Sequence, residues 1–427
     1  MSNRSQPGHG GWLTVLIGAI AVSPISVSAQ PPGRQITLGH AHIIQSAVLD
    51  EDREVQVALP ESYGRTTIAY PVIFLLDGSS HLLHASATAR FLADARNRIP
   101  EMIVVALPNT NRNRDLTPGP GAAAFQRVLA EEVIPWVERN YRAAPERILV
   151  GHSLGGSFAV HTFLNRAELF DAYVAASAPV WRYEGLDEDM KRGVVHAARV
   201  GAALYLTVGE HENDRLRAGV AKLAGAFESM DAGAAPAWSF LDMQGEDHSS
   251  TAQRSLYHVL ETRYADWRFP FFEDGDELAR TGGLKGLEAH YARVSTRFGF
   301  ISPPPDVRLR QVARIYIEAG AHEEAIQLSD AYVTEYPVLA EAVVNLVGYD
   351  QLRRGQVEQA VRTFTRNVRA FPDSPNVYDS LGDAHCKAGD AAAGRRSYED
   401  AARAAAKRSP PHPRLGWYKD KAEKGCG

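Results

Sequence analysis

One ten-residue segment constrains this chain more than any other. Residues 147–156 read Arg-Ile-Leu-Val-Gly-His-Ser-Leu-Gly-Gly. A β-branched, apolar run stops at Gly151-x-Ser153-x-Gly155, and a helical apolar pattern follows at once through Phe158, Ala159, Val160, Phe163 and Leu164. That is a strand, a sharp turn and a helix. Such a turn holds its central residue in a strained backbone conformation and lifts the Ser153 hydroxyl off the sheet edge. Gly151 and Gly155 are small because strand and helix approach closely there. A hydroxyl so placed meets a base on one side and a carbonyl carbon on the other. The bland alternative is a glycine-rich turn with an ordinary serine. Glycine makes up 35 of the 427 residues, so the motif gains its weight from the strand before it and the helix after it.

A chain this long divides into about two or three domains. Its formal net charge of −5, with Lys and Arg scattered, argues against a nucleic-acid binder. Residues 1–29 read as a signal peptide. Arg4 is the charged start, Trp12 to Val22 the apolar run, and Val27-Ser28-Ala29 the cleavage site. That run is too short to span a bilayer, and no later stretch reaches ~18 uninterrupted apolar residues. The expected mature protein is exported, periplasmic or secreted, with no stable membrane span; an uncleaved anchor is the alternative. Cys386 and Cys426 are the only cysteines. Thiol catalysis and Cys-zinc sites are therefore excluded from the first domain, and a bridge between the two needs an oxidising compartment.

Residues 30–270 alternate strand and helix patterns, which implies a mostly parallel, doubly wound sheet with helices on both faces. Residues 30–50 read as a lead-in and Glu54 to Leu59 as an edge strand. Residues 271–305 read as a linker closing on Pro303-Pro304-Pro305, and residues 306–427 as helical repeats. Gly320, Gly355 and Gly389 recur at a spacing near 34, as do Ala325, Ala360 and Gly394, and Pro337 and Pro372. With Leu381-Gly382 and Tyr398 in register, the period resembles the tetratricopeptide (TPR) repeat. An irregular helical bundle is the alternative.

A serine hydroxyl is a poor nucleophile until a base takes its proton. In an α/β-hydrolase the order along the chain is nucleophile, acid, histidine, the last two in loops after later strands. The loop after the strand at Ala202–Val208 carries Glu210, Glu212 and Asp214. Glu212 is preferred as the acid, then Asp214, then Glu210. The loop after the last strand carries His248 as the base, against the competitors His152, His211 and His258. The oxyanion hole is expected from the backbone N–H of Leu154 and of Ser79, the latter in the turn Asp77-Gly78-Ser79.

Four stretches carry a resemblance to a known family. Tyr70 to Gly78 (YPVIFLLDG), Pro108 to Pro118 (PNTNRNRDLTP), the turn at Gly151 to Gly156, and Gly245 to His248 (GEDH) resemble the esterase D and enterochelin-esterase-like hydrolases. The resemblance spans residues 36–270. It implies an α/β-hydrolase that cleaves carboxylic esters through an acyl-serine, with no metal or organic cofactor. The substrates it implies are siderophore lactones, S-formylglutathione, or feruloyl or acetyl esters. Asn111, Asn113 and the Glu-rich acid loop depart from the family pattern. Arg114 and Asp115 either pair across the base of their loop or contact substrate; Trp181 either walls the acyl pocket or packs. The helical repeats resemble those appended to some exported bacterial members and are expected to bind a protein partner. Two other readings stand beside the esterase: an inactive hydrolase-fold scaffold whose repeats do the binding, and a serine peptidase.

Overall fold

The computed structural model describes residues 37–94, 97–231 and 235–426. The signal-peptide segment, residues 1–29, lies outside the described residues. Among the described residues eight strands form one sheet: β1 (His40–Ser46), β2 (Glu51–Ala58), β3 (Tyr70–Leu76), β4 (Ile103–Leu107), β5 (Ala143–His152), β6 (Ala172–Ala176), β7 (Ala203–Gly209) and β8 (Ala237–Met243). Their spatial order is β1-β2-β4-β3-β5-β6-β7-β8. β1 and β2 pair antiparallel, β2 meets β4 antiparallel, and every later neighbour is parallel. The strand at Glu54–Leu59 is therefore not the sheet edge. β1 is, inside the stretch read as lead-in, and its mostly open faces gave it too weak an apolar pattern to stand out.

Among the described residues the α-helices of this part are α1 (Gly78–Asp94), α2 (Arg112–Leu116), α3 (Pro120–Val128), α4 (Ile134–Asn140), α5 (Leu154–Asn165), α6 (Leu186–Val200), α7 (Asp214–Glu228) and α8 (Thr251–Arg263). β3 is buried along its whole length because both sheet faces are covered. Val72, Phe74 and Leu76 point into one core, Ile73 and Leu75 into the other. The chain order reverses around β3, with β4 on one side and β5 on the other. Ligands of open α/β sheets bind beyond the carboxyl ends of the strands at such a reversal.

Residues 271–305 connect the two parts but are not loose chain. They hold α9 (Gly275–Arg280) and α10 (Gly283–Phe298), and the side chain of Asp274 caps α9 by accepting from Glu277 N at 2.8 Å. After them come α11 (Asp306–Glu318), α12 (His322–Ala331), α13 (Pro337–Arg353), α14 (Val357–Ala370), α15 (Pro375–Lys387), α16 (Ala391–Lys407) and α17 (Leu415–Lys424). Gly320, Gly355 and Gly389 sit between successive helices with φ of 77°, 77° and 83°. That left-handed conformation costs glycine nothing and stops each helix cleanly. Two close approaches repeat with the turns. A Cβ on Gly348 would lie 2.5 Å from the Phe364 ring, and one on Gly382 would lie 2.4 Å from the Tyr398 ring. Cys386 and Cys426 form a disulfide that ties the end of the chain to α15.

The second core does not stop where the strands end. Ile73, Val104 and Val174 of the sheet join one apolar cluster with Trp267, Tyr291, Leu309, Leu339 and Val343. The helices up to α13 thus complete the covering of one sheet face.

Candidate active site

Ser153 joins β5 to α5 with φ 55° and ψ −122°, a conformation L-residues seldom adopt. Its N–H is held by the carbonyl of Ala176 at 2.9 Å. The crossing is tight: a Cβ on Gly151 would lie 2.1 Å from the Gly155 carbonyl oxygen.

His248 Nε2 lies 3.0 Å from Ser153 Oγ. On the other side of the ring, Nδ1 lies 2.9 and 3.1 Å from the two Glu212 oxygens. One tautomer satisfies both contacts: Nδ1–H donates to Glu212, and Nε2 accepts from the serine hydroxyl. The Glu212 side chain is 1% exposed and that of His248 is 45% exposed. The carboxylate is thus shielded while the imidazole opens to an incoming ligand. The other two carboxylates of the acid loop go elsewhere. Glu210 accepts from Gly245 N at 2.8 Å, and Asp214 begins α7. His211 is exposed, its N–H donating to Glu246 O at 2.9 Å; His258 lies on α8.

Leu154 opens α5 and Ser79 lies in the first turn of α1. First-turn amides have no acceptor inside their own helix. Both N–H groups therefore come free at the carboxyl ends of adjacent strands, where the helix dipoles favour negative charge.

Three supporting residues escaped sequence reasoning. Asp77 precedes α1 with φ 54°. Its carboxylate accepts from Arg112 Nε at 2.6 Å, Arg112 Nη2 at 2.9 Å and Asn109 Nδ2 at 2.5 Å. Burial alone would raise its pKa, but these hydrogen bonds outweigh that and hold it below the ordinary value. The Pro108–Pro118 stretch thus anchors the turn that carries Ser79. His152, a competitor for the base in the sequence, supports the histidine loop instead. Its Nε2 lies 2.6 Å from the His248 carbonyl oxygen, and burial pushes its pKa down to about 4, so it is neutral and donates there. Thr251 Oγ1 donates to the same carbonyl at 3.1 Å.

Arg114 and Asp115 lie in an ion network. Asp115 is 1% exposed, and its two oxygens accept from Arg53 Nη1 at 2.7 Å and Arg114 Nε at 2.6 Å. Arg114 also reaches Glu51 at 2.6 and 3.0 Å, which with Arg53 draws the Glu51 pKa down to about 2. Of the two roles considered for this pair, the geometry is that of a clamp between α2 and β2, since Asp115 keeps no oxygen free for a substrate. Trp181 lines a cavity of about 310 Å³ with Met190 and Leu223, and the Arg215 guanidinium stands 5.3 Å from its ring centre.

Residues 46–268 match the model of the Esterase family, described as "Putative esterase". The chain is similar to the siderophore enterobactin esterase of Emericella nidulans, 31% identical over 179 residues, which cover 34% of this chain and 59% of that protein. It is also similar to the siderophore triacetylfusarinine C esterase of Aspergillus fumigatus, 24% identical over 249 residues, 48% of this chain and 84% of that one. Among solved structures, an IroE-like serine hydrolase from Shewanella oneidensis shares the fold with a TM-score of 0.56 and 23% identity, over 71% of this chain and 99% of that one. The family model spans more than half of the chain, over the same strands that carry the serine turn and the histidine loop. The chain belongs to the Esterase family and is a hydrolase acting on esters, of the enterochelin-esterase-like kind.

Proposed function

We propose that the chain cleaves carboxylic esters through an acyl-serine, with Ser153 as nucleophile, His248 as base and Glu212 as the acid. The observation that carries this is the unbroken hydrogen-bond chain from Ser153 Oγ through the His248 ring to the shielded Glu212 carboxylate. As Oγ attacks the acyl carbon, its proton passes to His248 Nε2, and Glu212 stabilises the imidazolium. The carbonyl oxygen gathers charge between Leu154 N–H and Ser79 N–H. Collapse of the intermediate expels the alcohol, which takes the proton from Nε2. Water repeats the sequence in reverse and frees Ser153.

The two siderophore esterases among the relatives point to a polyester or lactone of siderophore type as the substrate class. Export fits this reading, and the Cys386–Cys426 bridge supports passage through an oxidising compartment. We read residues 30–270 as the catalytic domain and 306–427 as TPR-like helical pairs, the region expected to receive a protein partner.

Ser153→Ala tests the reading. Hydrolysis of p-nitrophenyl butyrate should fall by roughly 10⁴-fold or more. Fluorophosphonate should label the wild type and not the variant. An unlabelled wild type would favour the inactive scaffold, and cleavage of amides in preference to esters would favour the peptidase.

A further inference from the structure

A second cavity, of about 500 Å³, lies away from Ser153, where the end of α1 meets the start of α11. Asn97, Arg268, Phe271, Val307, Arg308 and Gln311 line it. Since α1 begins at the oxyanion turn and runs 17 residues, its far end is about 25 Å from the catalytic serine.

Arg308 is 94% buried by its 6% exposure, yet it forms no ion pair among the described residues. Its one side-chain partner is Gln311, whose Oε1 accepts from Nη1 at 3.1 Å. The Nε–Nη2 edge, the side of a guanidinium that takes a carboxylate in two parallel hydrogen bonds, has no acceptor among the described residues, and Nε is shut off from solvent. A buried arginine without a counter-charge is costly, and an orphaned buried donor asks for a missing acceptor. Arg268 adds a second positive charge. The carboxylate on the wall, Asp94, is already paired with Arg90 at 3.3 Å. Phe271 and Val307 supply the apolar part of the wall, beside the neutral Asn97 and Gln311; Phe271 is 57% exposed and stands 6.0 Å from the Arg308 guanidinium, and Phe272 flanks that guanidinium at 5.7 Å.

We propose that this cavity binds a monocarboxylate with an apolar or aromatic body, its head on the open edge of Arg308 and its body along Phe271. The head supplies the absent counter-charge. The volume exceeds what a bare inorganic anion fills, and the ring wall accounts for the rest.

The test uses the full chain carrying Ser153→Ala, with benzoate as probe and benzamide as its uncharged counterpart, at constant ionic strength. Saturating benzoate should raise Tm by about 2–4 °C, and benzamide should not. In Arg308→Met the benzoate shift should vanish, while the ligand-free Tm should rise because an uncompensated buried charge has gone. Arg268→Gln, at an exposed position, should weaken the benzoate response about tenfold in concentration and reads the site even where Arg308→Met does not fold. Equal shifts by benzoate and benzamide, or a benzoate shift that survives both substitutions, would overturn the assignment. Neither result bears on ester cleavage, which Ser153→Ala tests on its own.

Discussion

At the scale of single residues, reach decides which carboxylate serves His248. Both Glu212 oxygens lie within 3.1 Å of His248 Nδ1, whereas Asp214 is exposed at the start of α7. Glu212→Gln should therefore lower kcat by roughly 10³–10⁴-fold, since an amide cannot stabilise the imidazolium and can favour the wrong tautomer. Asp214→Asn should leave kcat within about threefold. Steady-state kinetics on one ester decides between them. A second prediction concerns acid. Burial pushes the pKa of His84, His152 and His161 down to about 4, from the usual 6.5 of an exposed imidazole. The unfolded chain binds these protons between those two values and the folded one does not. Acid in that window therefore favours unfolding: stability is complete above about pH 6.5 and drains away as pH falls toward 4. His161 Nδ1 lies 2.7 Å from Tyr183 Oη, and its Nε2 has no partner among the described residues. In His161→Gln the loss of Tm from pH 7 to pH 5 should be smaller than in the wild type; an equal loss would remove His161 from this account. Ser153 and His248 were legible because sequence motifs and chain order mark them. Asp77 and His152 were not, because each acts on a turn brought near only by folding: Asp77 on the Asn109–Arg112 loop, His152 on a carbonyl 96 residues later.

At the scale of elements, the helical hairpins repeat a single packing device. Gly348 and Gly382 let a ring from the next helix lie on bare backbone, and both rings follow their glycine at the same interval. Alanine at either place forces its Cβ into ring atoms that have nowhere to retreat, because Phe364 is fully buried and Tyr398 is 3% exposed. Gly348→Ala and Gly382→Ala should each destabilise by about 1–3 kcal/mol, although alanine is the better helix former. Urea denaturation of each variant measures this, and a gain in stability would mean the rings move aside freely. The turn glycines and Gly382 were visible from their period. Gly348 was not, because its neighbours Val347 and Tyr349 depart from the Leu-Gly pattern. The edge strand β1 and the helices α9 and α10 were hidden for a related reason. One has a face open to solvent, and the others lie between Pro270 and the Pro303-Pro304-Pro305 run and are parted by Gly282-Gly283, so the stretch reads as connection although Leu287, Tyr291 and Val294 bury one side of α10.

At the scale of the whole molecule, the question is whether the hydrolase stands without its helical extension. Simple covalent order suggests that it does, since the family match ends at residue 268. The packing argues otherwise. One face of the sheet is covered by α1 and α8, and beyond them by Trp267, Phe269, Phe272, Tyr291, Leu309, Val312, Leu339 and Val343, all in one apolar cluster. Tyr291 Oη also accepts from Asn97 Nδ2 at 2.8 Å, and the carbonyls of Thr334 and Glu335 accept from Thr67 at 2.7 and 3.1 Å. Every contact made by a residue beyond 270 is lost if the chain stops there, and the aromatic surface left behind, Trp267 and Phe269 included, is the kind that drives association. The cluster ends at Val347 on α13, whereas Phe364, Ala384, Ala401 and Tyr418 belong to separate small clusters farther along. A fragment of residues 38–270 should therefore aggregate or bind a hydrophobic dye. A fragment of residues 38–354 should stay monomeric and keep ester hydrolysis within about tenfold of the full chain, having lost only the outer hairpins. Size-exclusion chromatography with light scattering, and turnover on p-nitrophenyl butyrate, separate the two. A monomeric 38–270 fragment that unfolds cooperatively would show that the extension is an independent module after all, and that the shared cluster adds little to the stability of the sheet.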